Sequence, residues 1–284
     1  MQGDLDGAIA DYDKAILLNP VYEDAYFNRG IARYINLDLD GAIADYNKAL
    51  GLNSRHAGAY LGRGSARGKK GDRDGAISDY NKALEINPRY AEAYYGRCLD
   101  QYLKQNLDEA IKDCSKALEI NPRYAHAYVN RGIARYSKGD FDGAIADYNK
   151  GLAIDARIAN GYYNRALAFH RKRNFAAGLA DYNKTLELDP KLVEAYIGRA
   201  RIRVSRNDLA AAIADYDKAL ALRTNYAEAY AFRGLARLAQ GNDTDAEQDF
   251  KKGFELDPSL RTQIQSDAER IRQMRKAKNR FNQP

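Results

Sequence analysis

An unbroken period of 34 residues constrains this chain more than any other feature. Tyr26, Tyr60, Tyr94, Tyr128, Tyr162, Tyr196 and Tyr230 recur at that spacing, and an Arg follows each of them by three residues, from Arg29 to Arg233. A second frame, Asp11 through Asp249, keeps the same 34-residue step, with a Lys three residues after every Asp. No insertion or deletion breaks either frame. Such self-similarity means that each period is one supersecondary unit, too small to bury its own apolar face, that is completed by its neighbours. A single core rarely grows past roughly 250–300 residues, but stacked units escape that limit.

Each period reads as two helices. Residues 127–137 form one amphipathic segment, Lys138-Gly139-Asp140 a turn, and residues 141–154 a second segment with Ile145, Tyr148 and Leu152 at helical spacing. The Gly supplies a helix stop and the Asp an N-cap. Asn-Pro at 19–20, 87–88 and 121–122, and Asp-Pro at 189–190 and 257–258, close the second helix and begin the next unit. Helices this short are marginal alone, so packing must hold them.

Number each unit so that Tyr26 is position 4. Position 8 is then Gly30, Gly64, Gly132 and Gly234, with Ala166 and Ala200 elsewhere. Position 20 is small in every unit (Ala42 or Ala144, for example), position 24 is Tyr or Phe in every unit but the third (Tyr46, Tyr148, Phe250), and position 32 is Pro in five units. This pattern resembles the tetratricopeptide repeat (TPR) family over residues 1 to about 260. It departs at position 7, always Arg here, and looks like the Asn-Arg-Gly variant common in bacterial members. The resemblance implies an all-α fold, an α-solenoid of 34-residue antiparallel helix hairpins wound as a right-handed superhelix. Seven hairpins are expected over residues 23–260, preceded by an orphan second helix within residues 1–22 and followed by a polar, basic capping helix and tail at 261–284. Because Met1 falls at position 13 of a unit, the chain is expected to be a fragment or to start inside a longer reading frame.

Three packing expectations follow. The small residue at position 8 lies across the hairpin from the ring at position 24. Arg at position 7 pairs with Asp at position 23, within a unit or with the preceding one; within-unit pairing, such as Arg131 with Asp147, is favoured. Cys98 and Cys114 fall at positions 8 and 24 of the third unit, so they are expected to touch as packed, inert thiols; a disulfide is the alternative that a reducing compartment disfavours.

Composition narrows the function. The net charge is +6, but residues 261–284 carry seven Lys/Arg against two Asp/Glu, so the other 260 residues are near neutral. That gives the body no electrostatic footprint for nucleic acid, and the run Arg270, Arg272, Arg275, Lys276, Lys278 and Arg280 reads as a solvated face. No run of about 18 apolar residues exists, the first residues do not form a signal peptide, and two Cys do not build a secreted disulfide scaffold. A cytoplasmic location is expected. His56, His126 and His170 have no ligand or nucleophile spacing around them, so no catalytic residue, metal or cofactor is expected. Asp and Lys are numerous but sit at one convex-face phase, so they read as solvated i, i+3 pairs.

Function must therefore come from a surface. In the family, first helices line a concave groove through positions 2, 5, 6, 9, 12 and 13. The resemblance assigns Phe27, Asn28 and Tyr34 to that groove in the first unit, with Asp24 and Ile31 beside them. In the third unit it assigns Tyr95 and Tyr102, with Glu92 and Leu99. The fourth contributes Asn130 and Tyr136, with His126, Val129 and Ile133, and the fifth Tyr163, Asn164 and His170, with Asn160 and Leu167. The sixth adds Glu194, Ile197, Arg201 and Val204. Tyr gives large contact at low entropy cost and Asn bonds a peptide backbone in either sense. A protein or peptide partner is expected. The alternative, a helical-repeat nucleic-acid binder using the groove and basic tail, is disfavoured by mixed groove charge. Some relatives clamp a chaperone C-terminus; Asn130 and Asn164 match part of that clamp, but position 2 never carries Lys and Gly198 stands at the next position 6, so the clamp is incomplete.

Overall fold

A computed structural model describes residues 4–281, with side chains described as far as Ala277. Lys278 and Arg280 of the basic run therefore have side chains outside the described residues. All described secondary structure is helical. After α1 (Leu5–Leu18) come the hairpins α2 (Glu23–Ile35) with α3 (Leu39–Leu52), α4 (Ala57–Lys70) with α5 (Arg73–Ile86), α6 (Ala91–Leu103) with α7 (Leu107–Ile120), and α8 (Ala125–Ser137) with α9 (Phe141–Ile154). These form the first of two compact units, residues 1–155. The second unit, residues 156–284, holds α10 (Ala159–Arg171) with α11 (Phe175–Leu188), α12 (Val193–Ser205) with α13 (Leu209–Leu222), α14 (Ala227–Gln240) with α15 (Asp243–Leu256), a short 3-10 turn at Pro258–Leu260, and α16 (Arg261–Phe281).

The helix ends follow from local chemistry. Asp4, Asp38, Asp72 and Asp140 cap α1, α3, α5 and α9 by accepting from the N–H of Gly7, Gly41, Gly75 and Gly143. The residue before each of the hairpin caps is left-handed: Gly71, Gly139 and Gly241 at φ 92°, 85° and 101°, but also Leu37, Gln105, Arg173 and Asn207 at φ 58–65°. The turn thus imposes one backbone conformation on every hairpin whether or not Gly is present. At the other end of the second helices, Asn87 and Asn121 accept from the N–H two residues on, at 3.1 Å, and hold the chain in the turn that Pro88 and Pro122 begin.

Inside the hairpins, small meets large as expected. A Cβ added at Gly30, Gly64 or Gly132 would stand 2.6–2.8 Å from the ring of Tyr46, Tyr80 or Tyr148, so the rings sit closest where Gly stands, while Ala166 and Ala200 pack with Tyr182 and Tyr216 at the same position. The same rings press on the next unit, where a Cβ at Gly62 or Gly96 would meet Tyr46 or Tyr80 at 2.6–2.7 Å. Ring packing therefore fixes both the hairpin and its stacking.

The third unit differs from expectation. Cys98 and Cys114 are in contact, but as a disulfide with sulfurs 2.06 Å apart, not as free thiols. The physical reason is the close helix approach at this place: the Cα atoms are 5.4 Å apart, within the range a disulfide spans.

The Arg–Asp expectation holds within units and is exceeded. Arg131 donates from Nε and Nη2 to both Asp147 oxygens, at 2.9 and 2.7 Å. Its third arm donates to Ser115 Oγ of the preceding unit at 2.9 Å. Arg135, one turn on, also donates to Asp147 at 2.8 Å. Arg29, Arg63, Arg199 and Arg233 repeat the fork, seconded by Arg33, Arg67, Arg203 and Arg237. Gln101 and Phe169 take the second place in the third and fifth units, where Arg97 and Arg165 still form the fork on Asp113 and Asp181. The acceptor Asp residues are 1–6 % exposed. This corrects the solvated-pair reading, which holds for Asp11 with Lys14 but not for Asp45, Asp79, Asp113, Asp147, Asp181, Asp215 or Asp249. Each guanidinium also lies over the Tyr three residues before it, Arg131 over Tyr128 at 5.6 Å for instance. The hydrogen bond to Asp45, first among several contacts, holds the Arg29 guanidinium above its ordinary range.

In the second unit α16 closes the last hairpin. Ile264 and Ala268 are buried with Leu238, Phe250 and Phe254. Arg275 donates to Leu238 O at 2.9 Å and to both Asp243 oxygens at 2.8 and 3.0 Å. Arg272 pairs with Glu247, and Arg270 with Asp267 at 2.6 Å. The solvated-face reading thus holds for Arg270 and Lys276, which are exposed, while Arg272 and Arg275 reach across to acids of α15.

Candidate peptide-binding groove

The first helices carry the predicted site residues. In the first compact unit, Tyr34 of α2 and Tyr95 of α6 line one open cavity of about 410 Å³, together with Leu61 and Lys69 of α4, Leu99 of α6 and Tyr124. Position 12 of the unit between Tyr34 and Tyr102 is Gly68, and this missing side chain opens the space. Tyr95 and Tyr124 meet with ring centroids 4.7 Å apart. Asn130 of α8 donates to Tyr95 Oη at 2.9 Å and to His126 O at 2.9 Å. Burial pushes the Tyr95 phenol up from its ordinary range, and the Asn130 contact opposes it. Asn130 is thus a spacer holding a ring, and its amide N–H groups are turned inward.

Other predicted residues of this unit pack against neighbouring side chains. Phe27 lies against His56 at 4.4 Å and Tyr46 at 6.0 Å between centroids. Asn28 is half-buried on α2. Tyr102 packs beside the Cys98–Cys114 bridge and Tyr136 against Phe141 at 5.3 Å. Val129 is in the core, 3 % exposed, and is no groove residue; the same holds for Ile197 at 7 %. Position 5 thus turns into the core at Val129 and Ile197, whereas Leu61 at the same position is half-buried and lines the cavity.

In the second compact unit, Tyr163 lies 6.1 Å from Tyr182. Asn164 donates to Asn160 O at 2.7 Å and Asn160 Oδ1 at 3.1 Å. His170 packs on Phe175 at 5.7 Å; burial first, then the charges of Arg201 and Arg171, push its imidazole below the ordinary range. Arg201 lies 5.5 Å over the Phe232 ring, and both line a cavity of about 340 Å³ with Val204, Leu235 and Asp267.

Sequence reasoning missed Tyr124, Lys69 and Asp100, all at the first cavity. Tyr22, Tyr90, Tyr124 and Tyr226 share one phase of the repeat, and that recurring aromatic was the signal for the first of them. Among the described residues, Glu23, Asp24 and His56 bring three possible ligand atoms within 4.8 Å of one another. His56 Nδ1 already accepts from Ala59 N–H at 3.2 Å and its Nε2 faces Glu23 at 3.5 Å, so both ring nitrogens are engaged and the grouping reads as a helix cap.

Stacked helix hairpins with an aromatic-lined first-helix face define a helical-repeat interaction protein. The chain belongs to the tetratricopeptide repeat family. A family model described as TPR repeat matches residues 1–36, 66–98, 134–172 and 200–241, and models described as tetratricopeptide repeat match 91–124, 159–192 and 227–260. A search of curated proteins returns no match. Among solved structures, the APC/C hetero-tetramer Cut9–Hcn1 aligns with TM-score 0.72 at 16 % identity, over 82 % of this chain and 46 % of that one, so this chain spans less than half of it. YrrB, described as a TPR protein with an unusual peptide-binding site, aligns with TM-score 0.53 at 24 % identity, over 65 % of this chain and 95 % of that one. MamA aligns with TM-score 0.52 at 27 % identity, over 61 % of this chain and 94 % of that one. No described helix is long and apolar enough to cross a membrane.

Proposed function

We propose that this chain is a non-enzymatic scaffold that binds a segment of another protein along its first helices. The cavity walled by Tyr34, Tyr95 and Tyr124 carries the reading. These rings are half-buried, so each keeps a face for a guest while its rotamer is already fixed, which lowers the entropy cost of binding. Exposed Ile31, Ile35 and Leu103 extend apolar surface on the same helices. The peptide-binding site in the name of YrrB supports the reading by likeness of fold. The pairing of Arg270, Arg272 and Arg275 with acids weighs against a phosphate-binding tail. The test is selection from a displayed peptide library by the full chain and by a Tyr95→Ala/Tyr136→Ala/Tyr163→Ala variant. Segments that bind the parent should lose at least about tenfold in affinity on the variant, near 1.4 kcal/mol. Equal binding to both would sink the groove.

A further inference from the structure

Two departures from the repeat meet in the cavity of the first compact unit. Position 10 is Ala32, Ala66, Ala134, Ala168, Ile202 and Ala236 in six units but Asp100 in the third. Position 12 is Tyr, His, Val or Leu everywhere except Gly68. The two residues are in contact: a Cβ on Gly68 would stand 2.6 Å from Asp100 Oδ2. The carboxylate therefore needs the Gly, and the same Gly opens the cavity above it.

Asp100 is 5 % exposed and lines the cavity. Its nearest cation is Arg73, with Nη1 at 3.5 Å, and neither of its oxygens accepts a hydrogen bond among the described residues. Arg73 is shared with Gly68 O at 3.4 Å. A buried carboxylate left so weakly compensated is costly unless a cation completes it. Burial accordingly pushes its carboxyl up to about 6, against the opposing charge of Arg73. The walls suit a cation as well. Tyr34, Tyr80, Tyr95 and Tyr124 surround the space and Glu92 stands at its rim. Lys69 Nζ already lies 4.9 Å over the Tyr34 ring, an intrachain cation held by the aromatic wall.

We infer that this cavity, with Asp100 at its base and tyrosines as its walls, is a specificity pocket for an arginine side chain of the bound segment. A planar guanidinium stacks on aromatic faces and offers a carboxylate two parallel N–H groups, which an ammonium does not. Exposed Lys69 swings away from Tyr34 as the guest enters. The inference rests on the groove reading for its guest, but the pocket is testable by itself.

The experiment titrates the isotope-labelled full chain with N-acetylarginine amide, its neutral isostere N-acetylcitrulline amide, and N-acetylglutamate amide, following the amides of Ser65, Gly68 and Gly96. Asp100→Ala restores the residue that five other units carry and keeps the fold. Arginine amide should perturb those amides, citrulline and glutamate amides far less, and Asp100→Ala should weaken arginine binding about tenfold or more. Lys69→Ala should strengthen it. Library segments held by the parent should carry an Arg that selection on Asp100→Ala no longer enriches. Equal response to arginine and citrulline, preference for glutamate, or indifference to Asp100→Ala overturns the pocket. If arginine amide binds through Asp100 while the library yields no segment, the groove reading fails and the pocket stands. If segments bind with no arginine preference and arginine amide does not, the pocket fails and the groove stands.

Discussion

Seven buried aspartates, each gripped by a guanidinium fork, carry the charge of this fold inside its hairpins. The pairs are 1–6 % exposed on the acid side and 13–21 % on the side of the first arginine, so they differ from surface ion pairs that contribute little. Removing Asp147 leaves Arg131 and Arg135 without their shared acceptor. Asp147→Ala should cost about 3–5 kcal/mol. Arg135→Ala leaves the two bonds from Arg131 intact and should cost much less. Chemical denaturation of both variants checks the order, and equal losses would mean that Arg131 is not the principal partner. Asp100 behaves oppositely. Its carboxyl rises from 3.8 to about 6 by burial, so the native state holds a proton that the unfolded chain has released. Stability is then lost as pH rises from about 4 through 6. Arg73 opposes this rise, and Lys69 and Glu92 are the other charged groups lining the same cavity. Asp100→Asn, neutral throughout, should gain over the parent as pH climbs through that window and hold a constant gain above it. Melting temperatures at pH 4, 5, 6 and 7.5 measure the difference, and a flat difference refutes the mechanism.

At the scale of the element, the hairpin turn sets a backbone that its residues do not all favour. Leu37 sits at φ 65° and 67 % exposed, where Gly71 and Gly139 serve in sister hairpins. A left-handed Leu costs about 1–2 kcal/mol locally, while Gly gives back about 0.5–1 kcal/mol through the unfolded chain. Leu37→Gly should therefore leave a net gain of several tenths of a kcal/mol, and Gly139→Leu a loss of similar size. Denaturation midpoints of the two variants moving in the same direction would show that the turn is not held to one conformation. The third hairpin shows that element geometry also decides chemistry, since a Gly–Tyr approach becomes a disulfide when both sites hold Cys.

For the whole molecule, stability in a repeat array is the sum of unit terms and nearest-neighbour terms. The second compact unit illustrates both, because its last hairpin gains its neighbour from α16. Removing residues 261–284 exposes the surfaces of Leu238 and Phe254 that Ile264 and Ala268 cover. It also frees Asp243 of Arg275. Hydrogen exchange should then accelerate in α14 and α15 first and leave α2 to α5 unchanged. Uniform acceleration along the chain would mean that the array unfolds as one body instead of unit by unit.

The period, the helix pairs, the turn and cap residues, the position of the small–large contacts and the Arg131–Asp147 pair were legible in the residues, because each depends on sequence spacing within one hairpin. That residues within 1–22 and 261–284 form helices was legible from their local patterns, and α1 and α16 are helical. Contacts between hairpins were not. The third arm of Arg131 on Ser115 and the hold of Asn130 on Tyr95 join residues of different units. So does the contact of Asp100 with Gly68, which no pattern inside one repeat encodes. Position 5 divided likewise, Tyr95 facing the cavity and Val129 the core. By itself the sequence determined what each unit is, since a helix hairpin is a local object. Only the tertiary structure decided which departures from the repeat stand together, because that depends on how one unit's surface meets the next.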